Sequence, residues 1–184
     1  IYNLMVDDSI LNKLNKIQVN LSETEVLDRL LDRMRWPKNY LNKQPSVEAI
    51  KEDGTKHQDF FEEDEYLNPA KAIKCYEDGY SLILSNIGGF NHSTFLIQEV
   101  LNDHFQKRIN CNFYFGNGLK SVSFEKHKHD YPVIVKNIYG TSKWIVDEKE
   151  VVLSNQDVIW FDKNTYHQVI EISEPKLSMT CNIE

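Results

Sequence analysis

Hydrophobic positions along this chain follow two different periods, and the change falls near residue 78. In the first part the clearest run is Val26, Leu27, Leu30, Leu31 and Met34, spaced as on one face of a helix. Ser22 precedes the run and Glu25 follows at capping-box spacing, while Pro37 closes the pattern. Residues 42–69 are mostly polar, with Asp53-Gly54 as a turn signal, and read as loop with short helical turns. Residues 1–78 are thus expected as a helical and irregular segment flanking a second unit, 79–184.

From Gly79 onward strand patterns take over. Residues 80–85 read as a strand, and Ser93 is placed to cap a helix with Phe95, Leu96, Val100, Leu101 and Phe105 as its apolar positions. Short alternating or β-branched runs follow at 111–115, 119–124, 132–139, 143–146, 150–153, 157–161, 168–172 and 177–183. Turn residues such as Gly116, Gly118, Gly140, Asp147 and Pro175 separate them. Many short strands at even spacing predict an all-β sandwich or barrel.

Composition narrows the function classes. At 184 residues the chain is long enough for one domain with an appended segment. Its net charge of −7, with no basic stripe, argues against nucleic acid as a partner, because phosphate binding needs clustered cations. The acidic run at 62–65 reads as solvated surface. Three cysteines, Cys75, Cys111 and Cys181, are an odd number without CxxC spacing. That argues against a disulfide framework or zinc ribbon and suggests reduced thiols in a cytoplasmic protein. No run approaches the apolar length of a membrane span, and residues 1–5 lack the regions of a secretory signal.

Candidate chemistry sits in the segment around His127 and His129. In an extended strand, residues two apart point to one face, so these imidazoles would project together. His167, at the start of a later strand run, is the natural third ligand. Three histidines suit borderline metals such as Fe, Zn, Ni, Cu or Co, and leave coordination positions open for substrate, water or dioxygen. The spacing alone favours surface histidines beside Lys126 and Lys128, with His167 as a turn residue.

The surrounding residues resemble the JmjC and cupin-like hydroxylase family. Its pattern of His-x-Asp, alternating apolar residues, Gly and a basic-Trp pair is similar to His127-Lys-His129, then 131–139, then Gly140-Thr-Ser-Lys143-Trp144. A later family pattern is similar to Gln156-Asp157-Val-Ile-Trp160-Phe161 and Tyr166-His167, and the likeness extends over about residues 72–184. The resemblance implies a mainly β fold, a double-stranded β-helix (cupin/jelly-roll) barrel with an N-terminal helical segment. It also implies a mononuclear non-haem metal oxygenase using Fe(II). Two positions depart from the pattern: His129 replaces the family's carboxylate ligand, with Asp130 on the opposite parity. Ser142 stands where the family often carries a lysine for 2-oxoglutarate, and Lys143 has the wrong parity.

Use of 2-oxoglutarate is therefore left open. The alternatives are a three-histidine cupin enzyme that does not use it (dioxygenase, isomerase or decarboxylase) and a non-catalytic ligand-binding cupin. Asn112, Tyr114, Asn137, Tyr139 and Ser142 are expected to line the same cavity and orient a cosubstrate; core packing is the competing role for the tyrosines. The expected substrate is a small molecule or a peptide or protein, and a homodimer is left open.

Overall fold

The computed structural model describes residues 6–118, 125–172 and 174–184. The strand expected at 119–124 lies outside the described residues. Four α-helices come in chain order as α1 (Asp8–Lys16), α2 (Glu23–Leu30), α3 (Pro69–Glu77) and α4 (His92–Phe105). Strands β1 (Val47–Ile50), β2 (Lys56–His57), β3 (Ser81–Leu84) and β4 (Ile109–Gly116) alternate with the later helices. Then follow β5 (Val133–Tyr139), β6 (Ser142–Val146), β7 (Lys149–Leu153), β8 (Val158–Phe161), β9 (His167–Ile172) and β10 (Lys176–Ile183).

The strands form two antiparallel sheets of a double-stranded β-helix. The larger runs β2-β1-β3-β4-β10-β5-β8 and the smaller β7-β6-β9. The large sheet is covered on both faces, which explains why β5 reads as a nearly continuous apolar run rather than a clean alternation. One face packs on the helices: Cys111, Phe113 and Phe115 of β4, Ile134 and Ile138 of β5, and Leu177, Met179 and Cys181 of β10 join residues of all four helices in one core. The other face looks toward the small sheet, where Val133, Val135 and Phe161 meet Trp144, Leu153 and Val169 in a second, smaller core.

The helices begin where side chains satisfy their free N–H groups. Ser22 and Glu25 form the expected capping box on α2. That helix ends at Leu30, before the expected apolar run is complete, and leaves Leu31 and Met34 exposed. The cap of α4 is Asn91, whose side chain accepts from the Thr94 N–H, rather than Ser93. Asn beats Ser here because Asn91 has the extended backbone that a cap requires.

Residues 42–69 are not simply loop. Val47–Ile50 pairs in register with β3, placing Val47 opposite Leu84 and Ile50 opposite Ser81, so the first 78 residues extend the large sheet. Periodicity could not reveal a strand this short: all four of its residues, Glu48 included, are buried, and no polar alternation marks it.

Gly140 closes the β5–β6 turn at φ +76°, and a Cβ there would lie 2.2 Å from the Pro175 carbonyl oxygen. Only glycine fits both the left-handed backbone and the close approach.

Candidate metal centre

The two sheets meet in a cavity whose rim carries the three predicted histidines. His127 sits ahead of β5 and bridges to His167 at the head of β9, with main-chain hydrogen bonds in both directions at 3.1 and 2.9 Å. His129 is held by its carbonyl oxygen, which accepts from the Asn164 N–H at 2.6 Å. The rings converge, with centroids 5.0 Å apart for His127–His129, 4.3 Å for His127–His167 and 5.2 Å for His129–His167. One ligand atom from each of the three lies within 4.8 Å of the others.

The surroundings prepare these imidazoles as ligands. Nδ1 of His127 faces the Glu125 carbonyl oxygen at 2.9 Å, and Nδ1 of His167 faces the Thr165 carbonyl at 3.0 Å. A carbonyl only accepts, so each Nδ1 carries the proton and each Nε2 the lone pair, the tautomer a metal requires. Burial pushes the His167 imidazolium down to about 4, with His127 and His129 adding repulsion, although the bond to Thr165 works the other way. Burial, followed by the neighbouring His127, also lowers His129, while Asp130 opposes the shift. His167 is therefore neutral near pH 7 and need not lose a proton to bind an ion. Packing fixes the ring planes: Tyr131 stacks on His129 at 5.0 Å, and Phe161 lies 4.2 Å from His167. Donor type, proximity and tautomer all fit a divalent transition metal.

Behind the histidines the cavity lining has an apolar and a polar part. Val133, Val135, Phe161 and Val169 are apolar, and Tyr114, Ser178, Thr180 and Lys176 form a polar wall on β4 and β10, with Thr180 directly beside Val135 in the large sheet. The polar wall arises from strand parity. Leu177, Met179 and Cys181 face the helices, so Lys176, Ser178 and Thr180 face the cavity. Burial pushes the Lys176 ammonium down to about 8 and raises the Tyr114 hydroxyl above its ordinary range. Lys176 Nζ lies 5.6 Å over the Trp144 ring, whose centroid is 6.5 Å from that of His167.

Of the five residues expected to line the cavity, Tyr114 does so. Asn112 accepts from the Asn86 N–H, and Ser142 accepts from Trp144 Nε1. Asn137 donates to the carbonyls of Gly140 and Ser154. These three are tied into structural bonds. Tyr139 is turned away altogether. A bulge in β5 sets Asn137 opposite Ser178 but Tyr139 opposite Leu177, so the parity reverses and Tyr139 packs on the helix-side core. Lys176, Ser178 and Thr180 went unseen in the sequence, although the alternation Leu177, Met179, Cys181, Ile183 was signal enough to place them.

Fold and site together define a cupin-type double-stranded β-helix with a three-histidine group. Its architecture is similar to that of YcfD, a ribosomal oxygenase from Escherichia coli, at TM-score 0.61 and 14% identity, over 92% of this chain and 45% of that one. A second YcfD structure, in complex with cobalt and succinic acid, matches at TM-score 0.60 and 12% identity with the same coverage. A cupin protein from Bacteroides fragilis matches at TM-score 0.39 and 14% identity, over 46% of this chain and 73% of its own. This chain thus spans less than half the length of YcfD. No protein-family model matches the sequence, and no curated protein matches it. Among the described residues, no helix is long and apolar enough to cross a membrane.

Proposed function

We propose that His127, His129 and His167 hold one Fe(II) ion and that the protein is a mononuclear non-haem oxygenase. The observation that carries this reading is the convergence of three imidazoles within 4.8 Å at the mouth of an inter-sheet cavity. An ion bound by three protein ligands keeps open positions at which dioxygen and a substrate or cosubstrate can be activated. The protein's own contribution is positional. Tyr131 and Phe161 hold the ring planes, the Glu125 and Thr165 carbonyls hold the tautomers, and the apolar wall excludes bulk water.

A cosubstrate of the 2-oxoglutarate type needs a cation for its far carboxylate. Ser142 supplies none, but Lys176 reaches the cavity from the polar wall. The YcfD complex with cobalt and succinic acid shares this fold and supports a metal and a carboxylate as ligands here. The second reading, a three-histidine cupin enzyme that binds its substrate directly without 2-oxoglutarate, is favoured by one observation: the ligand set contains no carboxylate.

Anaerobic reconstitution with Fe(II), followed by metal analysis and oxygen uptake, separates these readings. Stoichiometric iron with uptake dependent on 2-oxoglutarate supports the first. Iron-dependent uptake with a substrate and no 2-oxoglutarate supports the second. A protein that retains no iron, zinc, nickel or copper removes both, and leaves a ligand-binding cupin without a metal.

A further inference from the structure

Cys111 and Cys181 face each other across β4 and β10, with sulfurs 3.4 Å apart and each residue 1% exposed. They lie on the helix side of the large sheet, away from the histidine cavity. Both thiols are free, and the function proposed above uses neither.

The strand pairing fixes which kind of position they hold. At the end of β10 the Glu184 N–H donates to the Arg108 carbonyl on the β4 side, whereas the Ile183 N–H donates to the Pro132 carbonyl on the β5 side. Main-chain polar groups of successive strand residues point to opposite neighbours, so Cys181, two residues before Ile183, also directs its own toward β5. Cys111 and Cys181 are therefore a non-hydrogen-bonded pair of β4 and β10, the arrangement that brings opposed side chains closest. Cα atoms in such pairs are about 4.5 Å apart, and disulfides take Cα separations of about 4.4–6.8 Å. The sulfurs need only approach by about 1.4 Å to reach a bond length near 2.0 Å, a movement that side-chain rotation supplies. We propose that Cys111 and Cys181 are a peroxide-sensitive pair that closes, within the folded protein, into a reversible disulfide joining β4 to β10.

The reaction consumes one hydrogen peroxide. One thiol sulfur takes an oxygen from it to become a sulfenic acid and releases a first water, which carries the thiol proton. The second sulfur displaces that oxygen as the second water, so two thiols lose two hydrogens and two electrons to the peroxide. The hydrogen bond with Cys111 and burial both hold the Cys181 thiol protonated, above its ordinary range. Since the thiolate is the reactive form, closure is slow and follows local opening of the strands. Cys75, on α3, is only partly buried and provides an internal comparison.

The bond would close a loop spanning 70 residues, which contains His127, His129 and His167 and strands β5 to β9. It would tie the two strands that carry Tyr114, Ser178 and Thr180 without touching the cavity they line. A loop of that length gives a large stabilisation, because the unfolded chain loses freedom that the folded chain never had.

The test exposes the reduced whole chain to hydrogen peroxide with a chelator present, then alkylates it in denaturant for mass spectrometry. The product should be lighter by about 2 Da before alkylation, and its peptides should be joined at Cys111 and Cys181. Near-ultraviolet circular dichroism should stay native, and Tm should rise by about 8 °C or more. Unfolding in dithiothreitol followed by refolding should reverse both changes, and Cys75→Ser should close the same bond. These readings come from wild type and Cys75→Ser, so they do not depend on replacing either buried cysteine. Cys111 and Cys181 both alkylated after an exposure that oxidises Cys75 overturn the proposal. So do a bond that includes Cys75, sulfinic acid in place of the bond, a bond formed only with loss of native circular dichroism, or an unchanged Tm.

Discussion

His127 and His167 are joined through their main chains, each donating its N–H to the other's carbonyl, at 3.1 and 2.9 Å. Two of the proposed metal ligands, from distant segments, are therefore placed by backbone bonds that do not depend on their imidazoles. Removing one imidazole should take away the ion and spare the scaffold. His127→Ala or His167→Ala is expected to weaken Fe(II) or Co(II) binding by more than about 100-fold, while the β-rich circular dichroism stays as in wild type. Calorimetric titration beside far-ultraviolet spectra checks both halves of this expectation.

Gly140 sets the turn that carries β5 into β6, and its φ of +76° coincides with the close approach of the Pro175 carbonyl. Gly140→Ala meets a steric clash as well as a strained backbone, so relief requires the segment around Pro175 to shift. A loss of about 2 kcal/mol or more is expected in urea unfolding, with the slope unchanged. Alanine at Gly89, where an added Cβ meets nothing within 4 Å and φ is not in the left-handed range, serves as the control and should cost much less.

The N-terminal segment is fastened to the β-helix through Gln156. Its Oε1 accepts from the Val19 N–H at 3.1 Å, and its Nε2 donates to the carbonyls of Val19 and Ile138 at 3.0 Å each. Gln156→Ala strands those groups in a partly buried place, and the expected cost is about 1–3 kcal/mol. Hydrogen exchange at the Val19 amide should accelerate more than exchange in β4 or β10, because the loss is local to the joint. Equal acceleration throughout would show that the segment and the sheets open as one unit.

Much of the fold could be read from the sequence because strand parity and turn residues recur so regularly after residue 108. Seven of the eight short runs expected there coincide with strands β4 to β10 to within a residue or two, and the eighth lies outside the described residues. The histidine group was legible in part: a strand does begin at His167, but His127 makes only an isolated bridge and His129 lies ahead of β5, so strand parity is not what brings that pair together. What escaped had no such signature. Helix α1 is a short amphipathic element with buried Ile10 and Leu14, and β1 is too short and too buried to alternate. Tyr139 was misplaced because parity counting assumes an unbroken ladder, and the bulge opposite Leu177 and Ser178 inserts one residue. Lys176 was missed because the expected strand began one residue later, which hid the only cation on that face of β10 among the described residues.

Lys176 also gives the protein a pH-dependent stability that can be separated from every other group. In the folded, metal-free state burial holds its pKa at about 8, whereas the unfolded chain returns it to the ordinary lysine value near 10.5. Below about pH 8 both states are protonated, and the folded state bears the full cost of a buried ammonium. Between about 8 and 10.5 the unfolded state binds more protons than the folded one, so stability rises with pH across that window. The gain approaches about 3 kcal/mol if the whole shift is realised. Other groups titrate there too, including Tyr114, whose raised pKa works in the opposite direction as the unfolded tyrosine ionises first. The informative quantity is therefore the difference between wild type and Lys176→Met, measured by urea unfolding with a chelator present. Lys176→Met should be the more stable at pH 7, and its advantage should shrink steadily toward pH 10. A difference that stays constant over that range would mean that the ammonium is solvated in the folded protein, and its role as the cation for a cosubstrate carboxylate would go with it.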